Sequence, residues 1–361
     1  MNATMPTGQL QDAGQSLWLD NITRALLDSG TLRRYIDEFS VTGLTSNPTI
    51  FDHAVKGGSD YDAAIRAQGG AGKSDEALFL ELALDDVCRA ADLFRPVFER
   101  TCGVDGWASI EVSPLLAYDT AATLAMAKDL HARAARPNVF IKIPGTRQGL
   151  AAIEEAIFAG VPINVTLLFS REHYRAAADA WLRGIERRIG AGLPPDVASV
   201  ASLFVSRWDA AIAGKVPATL ANRLGIAIAW RSYAAYGDLL ASPRYRRVMN
   251  AGARPQRLLM ASTGTKDPEA SDVLYIDNLA APLTINTMPE ATLKAFADHG
   301  HPTIIPADGG VCEAVIAKFT QAGVDIEALA ARLQEEGAAA FSRSWNELLA
   351  VIAAKRAALA R

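Results

Sequence analysis

Eight short apolar runs, each followed by a longer stretch of helical periodicity, recur along the chain, and this alternation constrains its fold more than any other feature. The runs fall at residues 17–20, 41–46, 107–112, 139–143, 163–169, 198–205, 257–262 and 282–286. Between them lie segments rich in Ala, Leu, Glu and Arg, the clearest at 75–99, 120–135, 171–189 and 221–240. Strands that alternate with helices pair in parallel, and near-continuous apolar strands are buried on both faces. Eight such units predict an α/β fold, a (β/α)8 TIM barrel in preference to a doubly wound sheet. Helical spacing persists through 325–361, which predicts a C-terminal helix packed over the barrel. No Pro/Gly/Ser-rich linker or repeat divides the chain, so residues 1–361 read as a single barrel domain, with 1–15 as a flexible polar N-terminal segment.

The longest interruption, 51–106, contains "AQGGAGKS" at 67–74, which satisfies the loosest phosphate-loop pattern. A working loop of that kind leaves a buried strand, so that its amides converge at a helix N-terminus. Here the preceding "SDYDAAIRAQ" is charged and helical, so the segment reads as a connection between helices. Ser74 is then an N-cap, with Asp75 and Glu76 in the first turn.

A net charge of -4 gives no basic excess to attract nucleic acid or an anionic membrane, which leaves a small soluble substrate as the expected partner. The start, "MNATMPTGQLQDAGQS", lacks the basic and apolar regions of a secretory signal, and no uncharged run of about 18 apolar residues follows. A cytoplasmic protein is the expectation. Cys88, Cys102 and Cys312 form no CxxC pair, and His53, His131, His173, His299 and His301 show neither HxH nor HExxH spacing. No disulfide framework, metal site or cofactor is therefore expected. The assembly is left open between a monomer and a homodimer.

In a barrel of this type the C-terminal strand ends converge on one face, where the active site lies. Those ends carry Asp20, Asn47, Glu111, Lys142, Asn164, Thr166, Ser202, Arg207, Ser262 and Lys266. Lys142 is the anomaly, because it interrupts the apolar run of "PNVFIKIPGTRQG", and desolvating an unpaired ammonium is expensive. An amine held in a dry pocket attacks carbonyls, and the resulting Schiff base serves as an electron sink for C–C cleavage. Neighbouring carboxylates can move the protons, carboxamides can hold sugar hydroxyls, and Arg207 with Lys266 can hold a phosphate. Each residue also has a plainer reading. Lys142 suits a strand-end lysine snorkelling to solvent, Glu111 and Asp20 suit salt-bridge partners, Asn47 before Pro48 suits a turn, and the two outer cations suit surface charges.

Four segments in order, "GLTSNPTIF", "VFIKIPGTRQGL", "INVTLLFS" and "SLFVSRWD", resemble the transaldolases, specifically their longer bacterial type. The resemblance runs over residues 17–289 and resumes at "FSRSWNELL" in the C-terminal helix. It implies a metal-free Schiff-base enzyme of the non-oxidative pentose phosphate pathway, acting on sugar phosphates. Such an enzyme moves a dihydroxyacetone unit reversibly from sedoheptulose 7-phosphate to glyceraldehyde 3-phosphate, giving erythrose 4-phosphate and fructose 6-phosphate. It further implies Lys142 as the Schiff-base residue, with Glu111 and Thr166 positioning a proton-shuttling water. Asp20 matches the acid that takes the C4 hydroxyl proton, and Asn47 and Asn164 match hydroxyl-binding carboxamides. Ser202 matches a contact to the transferred unit, and Arg207 a phosphate ligand. In "ASTGTKDP", Lys266 follows Ser262 where the shorter transaldolases offer an arginine. Lysine supplies the charge without the bidentate fork. Phe204 goes with group transfer in this family, whereas the shorter fructose 6-phosphate aldolases carry a tyrosine there. Core packing accounts for Phe204 equally well.

Overall fold

The computed structural model describes residues 5–69 and 72–359. Its centre is a closed barrel of eight parallel strands in the order β1-β2-β3-β4-β5-β6-β7-β8. They are β1 (Gln15–Asp20), β2 (Val41–Thr45), β3 (Trp107–Glu111), β4 (Val139–Pro144), β5 (Ile163–Leu168), β6 (Ser199–Phe204), β7 (Gln256–Ala261) and β8 (Thr284–Met288). Helices alternate with them, as the periodicity predicts, and every strand is buried along almost its full length. Among the described residues, no helix is long and apolar enough to cross a membrane.

The pleat decides what faces the barrel axis. In β4, Val139, Ile141 and Ile143 pack with the cluster that covers the outer faces of the strands, while Phe140 joins a second cluster with Trp18, Trp107, Leu259 and Ile285. Alternate residues share a face, so Lys142 stands on the side of Phe140, one pleat above it. Trp107 and Phe140 stack at 4.0 Å between centroids and form a dry floor. Gly43 on β2 makes room for that floor, since a Cβ there would lie 2.6 Å from Trp18 Cε2. At the far end a buried Arg257–Asp105 pair, 3.2 Å apart, closes the barrel, with Ser16 donating to Asp105 at 2.5 Å. The apolar floor thus separates that polar closure from the polar residues of the C-terminal rim.

Three expectations need correcting. The start is not wholly loose: Pro6–Asp12 is a helix whose Leu10 is fully buried, and β1 begins at Gln15. The eighth strand lies two residues later than its apolar run suggests, because Pro282 has no N–H to donate and Leu283 takes a left-handed φ of 62°. Lys142 does not end its strand, which continues through Ile143 to Pro144.

The interruption between β2 and β3 folds into helices Pro48–Lys56, Asp62–Gln68 and Asp75–Arg100. Ser74 caps the last of these, accepting from the Ala77 amide at 3.1 Å. Gly70 and Ala71 of the glycine-rich stretch lie outside the described residues. These helices hold the C-terminal helix Ile326–Leu359: Trp345 packs edge-on against Phe79, and Lys355 and Arg356 bond the carbonyls of Gly58 and Gly69.

Candidate active site

The rim encloses a cavity of about 500 Å³. Nine of the eleven sequence-predicted residues line it, namely Asp20, Asn47, Lys142, Thr166, Ser202, Phe204, Arg207, Ser262 and Lys266. Glu111 and Asn164 sit directly behind that lining as the register partners of Lys142 on β3 and β5.

Lys142 is 4% exposed, and its ammonium lies between two acceptors. Nζ donates to the Ser46 carbonyl at 2.7 Å and stands 3.2 Å from Glu111 Oε2. Burial pushes the Glu111 carboxyl up from its ordinary value, and the charge of Lys142 opposes that rise. Among the described residues, Thr166 Oγ1 is buried with no hydrogen-bond partner. The amine and a carboxyl that resists ionisation are thus in contact, and a hydroxyl with free capacity lines the same cavity as the amine.

Thr166 shares the inward face of β5 with Asn164, two residues before it. The backbone changes course just after it: the β5–β6 register shifts between Val165 and Leu168, and Leu167 takes a left-handed φ of 59°.

Asp20 faces the same cavity from β1. Burial again raises its carboxyl, with Lys142 as the main opposing influence and a hydrogen bond from Thr45 as the next. Thr45 Oγ1 donates to Asp20 Oδ1 at 2.7 Å and pairs with Thr287 Oγ1 at 2.8 Å. A buried acid whose pKa moves toward neutrality suits proton transfer.

The carboxamides are held in different ways. Asn164 Oδ1 accepts from Ser202 Oγ at 2.7 Å, and its Nδ2 donates to Ser109 Oγ at 3.3 Å, which fixes the orientation of the amide. Asn47 caps the helix Pro48–Lys56, accepting from the Ile50 amide at 3.1 Å. The turn-forming reading of Asn47 is thus correct, and it leaves the amide nitrogen available toward the cavity.

The outer cations are suited to an anion. Arg207 lies over the rings of Phe204 and Phe341, 5.2 and 5.6 Å from their centroids. Burial lowers the pKa of its guanidinium, which nonetheless stays charged. Among the described residues, neither Arg207 nor the exposed Lys266 makes an ion pair, so both charges remain for a ligand. Ser262 takes a left-handed φ of 55° and pairs its hydroxyl with Ser206 at 3.0 Å.

Thr45, Thr287, Thr49, His53 and Phe341 also line the cavity and were not anticipated. The period-two alternation would have found Thr45 and Thr287, since each faces inward at a strand end. Phe341 opens the "FSRSWNELL" stretch of the C-terminal helix, but its residue type alone does not place it at the cavity.

A family model described as Transaldolase/Fructose-6-phosphate aldolase matches residues 17–352. A Transaldolase of Arthrobacter sp. (strain FB24) is 45% identical over 356 residues, which is 96% of this chain and 96% of that protein. One from Saccharopolyspora erythraea is 43% identical over 351 residues, 95% of each chain. Another, from Thermobifida fusca (strain YX), is 44% identical over 363 residues, 98% of this chain and 99% of the other.

Proposed function

The chain belongs to the transaldolase/fructose-6-phosphate aldolase family, and from that premise we propose that it carries a dihydroxyacetone unit between sugar phosphates as a Schiff base on Lys142. The donor is sedoheptulose 7-phosphate and the acceptor glyceraldehyde 3-phosphate, giving erythrose 4-phosphate and fructose 6-phosphate, with the reverse reaction equally available. One observation carries this reading: a buried amine stands 3.2 Å from a carboxyl on the floor of a cavity whose mouth holds two unpaired cations.

The steps follow from the chemistry of those groups. The neutral amine of Lys142 adds to the ketose C2 carbonyl, and Glu111 with Thr166 passes protons so that the oxygen leaves as water. Asp20 takes the proton of the C4 hydroxyl as the C3–C4 bond breaks. The bonding electrons move into the iminium, leaving an enamine on Lys142 and releasing an aldehyde. The enamine C3 then attacks the acceptor aldehyde, Asp20 returns its proton to the new hydroxyl, and hydrolysis frees the lysine. Asn164, Ser202 and Asn47 hold the hydroxyls of the carried unit, while Arg207 and Lys266, with Ser262 beside them, hold the phosphate. Phe204 has no hydroxyl to deliver a proton to the enamine, so the unit waits for an aldehyde. The reading extends to a cytoplasmic enzyme built as one barrel domain, whose free thiols at Cys88, Cys102 and Cys312 suit a reducing compartment.

Borohydride reduction in the presence of fructose 6-phosphate tests the central claim. An adduct on Lys142 is expected; a mass shift on another lysine, or none, overturns it. Repeated release of glyceraldehyde 3-phosphate without an added acceptor would mark the enzyme as a free aldolase instead.

A further inference from the structure

The C-terminal helix reaches the rim with one face, on which Gln334, Gly337 and Phe341 are spaced i, i+3 and i+7. Gly337 sets how closely it approaches: a Cβ there would lie 3.0 Å from Leu167 Cδ2 and 3.1 Å from Arg207 Nη1. One turn earlier, Gln334 Nε2 donates to the Leu167 carbonyl at 3.0 Å and to the Gly145 carbonyl at 3.1 Å. These two carbonyls belong to neighbouring chain segments, one just beyond β4 and the other inside the bulge of β5. The Gly145 amide in turn donates to the Thr166 carbonyl at 2.7 Å, so Thr166 is gripped on both sides.

Leu167 needs such a grip. A leucine in the left-handed region is strained and persists only where its surroundings over-determine it. Leu167 follows directly on Thr166, so its turn fixes the backbone from which the Thr166 hydroxyl projects into the cavity that Lys142 also lines. A primary amide carries two N–H donors on one nitrogen, which matches two carbonyls that, among the described residues, no other side chain serves.

We propose that Gln334 is a positioning residue for Schiff-base formation, acting through Leu167 and Thr166 from the C-terminal helix. The inference rests on the reading of Lys142 as the covalent residue. It touches the chemical step and leaves the phosphate ligands Arg207 and Lys266 in place, so it predicts a split between the two.

The test compares the wild type with Gln334→Ala and with the length-matched Gln334→Met, each in the full chain. The rate of borohydride trapping by fructose 6-phosphate and kcat are expected to fall together by about ten- to a hundred-fold, the scale of a reacting group displaced by about 1 Å. KM for fructose 6-phosphate and the inhibition constant of inorganic phosphate stay within about two-fold, as uniform binding is untouched. Gln334→Met is read by the same criteria if Gln334→Ala does not fold. Unchanged trapping in a folded variant, or a parallel loss of trapping, KM and phosphate binding, overturns the positioning role while Lys142 trapping in the wild type still stands. Absence of trapping on Lys142 in the wild type removes the reading and the inference together.

Discussion

Lys142 Nζ lies 3.2 Å from Glu111 Oε2, and the two residues are direct register partners across β3 and β4. A slip of one residue in either strand would turn one of them to the outer face, so the register that builds the barrel also builds the pair. Both side chains are buried, and each gains its partner at the cost of its hydration. The pair is therefore a poor stabiliser and a good proton-transfer unit, as expected for a reactive amine at the floor of a site.

Replacing Glu111 with Gln keeps the shape beside Lys142 and removes the carboxyl proposed to carry protons. Imine formation should slow by about 10²–10⁴-fold, the usual contribution of a general acid–base group. Single-turnover trapping with borohydride reads this directly, and the adduct should still appear on Lys142. A variant that traps as fast as the wild type would remove Glu111 from the mechanism.

Thr45 stabilises the ionised form of Asp20 through its 2.7 Å hydrogen bond. In Thr45→Val the donor is gone and the methyl groups fill the same space, so the Asp20 carboxyl rises further. A base must be ionised to act, and the acid limb of the kcat profile should move to higher pH. Above that limb kcat should stay within a few-fold of wild type. Profiles at saturating substrate decide the matter, and an unmoved limb would mean that Asp20 is not the base.

Arg207 lies over two aromatic rings and, among the described residues, makes no ion pair, which leaves its donors free for a phosphate. Hydrogen bonds to a charged group contribute about 1.5–3 kcal/mol, so Arg207→Gln should raise KM for fructose 6-phosphate by roughly ten- to a hundred-fold with kcat little changed. Phe341→Leu removes one of the two cation–π contacts and should raise KM only several-fold, in line with about 0.5–2 kcal/mol. Unphosphorylated fructose, assayed alongside, should show no response to either change.

The strands were legible in the sequence because a parallel sheet buried on both faces leaves uninterrupted apolar runs. Lys142 stood out for the same reason, as an ammonium with apolar residues on both sides of it. Alternation places Thr45 and Thr287 on the inner face, but a β-branched hydroxyl residue is ordinary in any strand, and only the barrel brings these two within 2.8 Å of each other. The acceptor for Lys142 is the Ser46 carbonyl, a backbone group that no residue type reveals. Gln334 and Phe341 come from a helix whose apolar stripe announces burial but not which end of the barrel it crosses. Pro282 and Leu283 misplaced the last strand because hydrophobicity was read without their backbone requirements.

Asp20 also links activity to stability, with a definite sign. Its carboxyl is raised in the folded protein above the ordinary 3.8, so between the two values the folded chain binds more protons than the unfolded one. Stability then falls as pH rises through that window, and the full penalty of the buried charge is present above the folded value. Asp20→Asn removes the charge and keeps a group that can still bond Thr45. The variant should melt above the wild type at about pH 8, and its advantage should shrink as pH is lowered through the folded value of Asp20 toward 3.8. The same variant should lose about 10²–10⁴-fold in kcat while still forming a trappable adduct on Lys142, because the imine forms before Asp20 is needed. Thermal melts across that pH range, run beside borohydride trapping, check both halves. A pH-independent gain, or a loss that grows with pH, would show that desolvation is not what sets the state of Asp20.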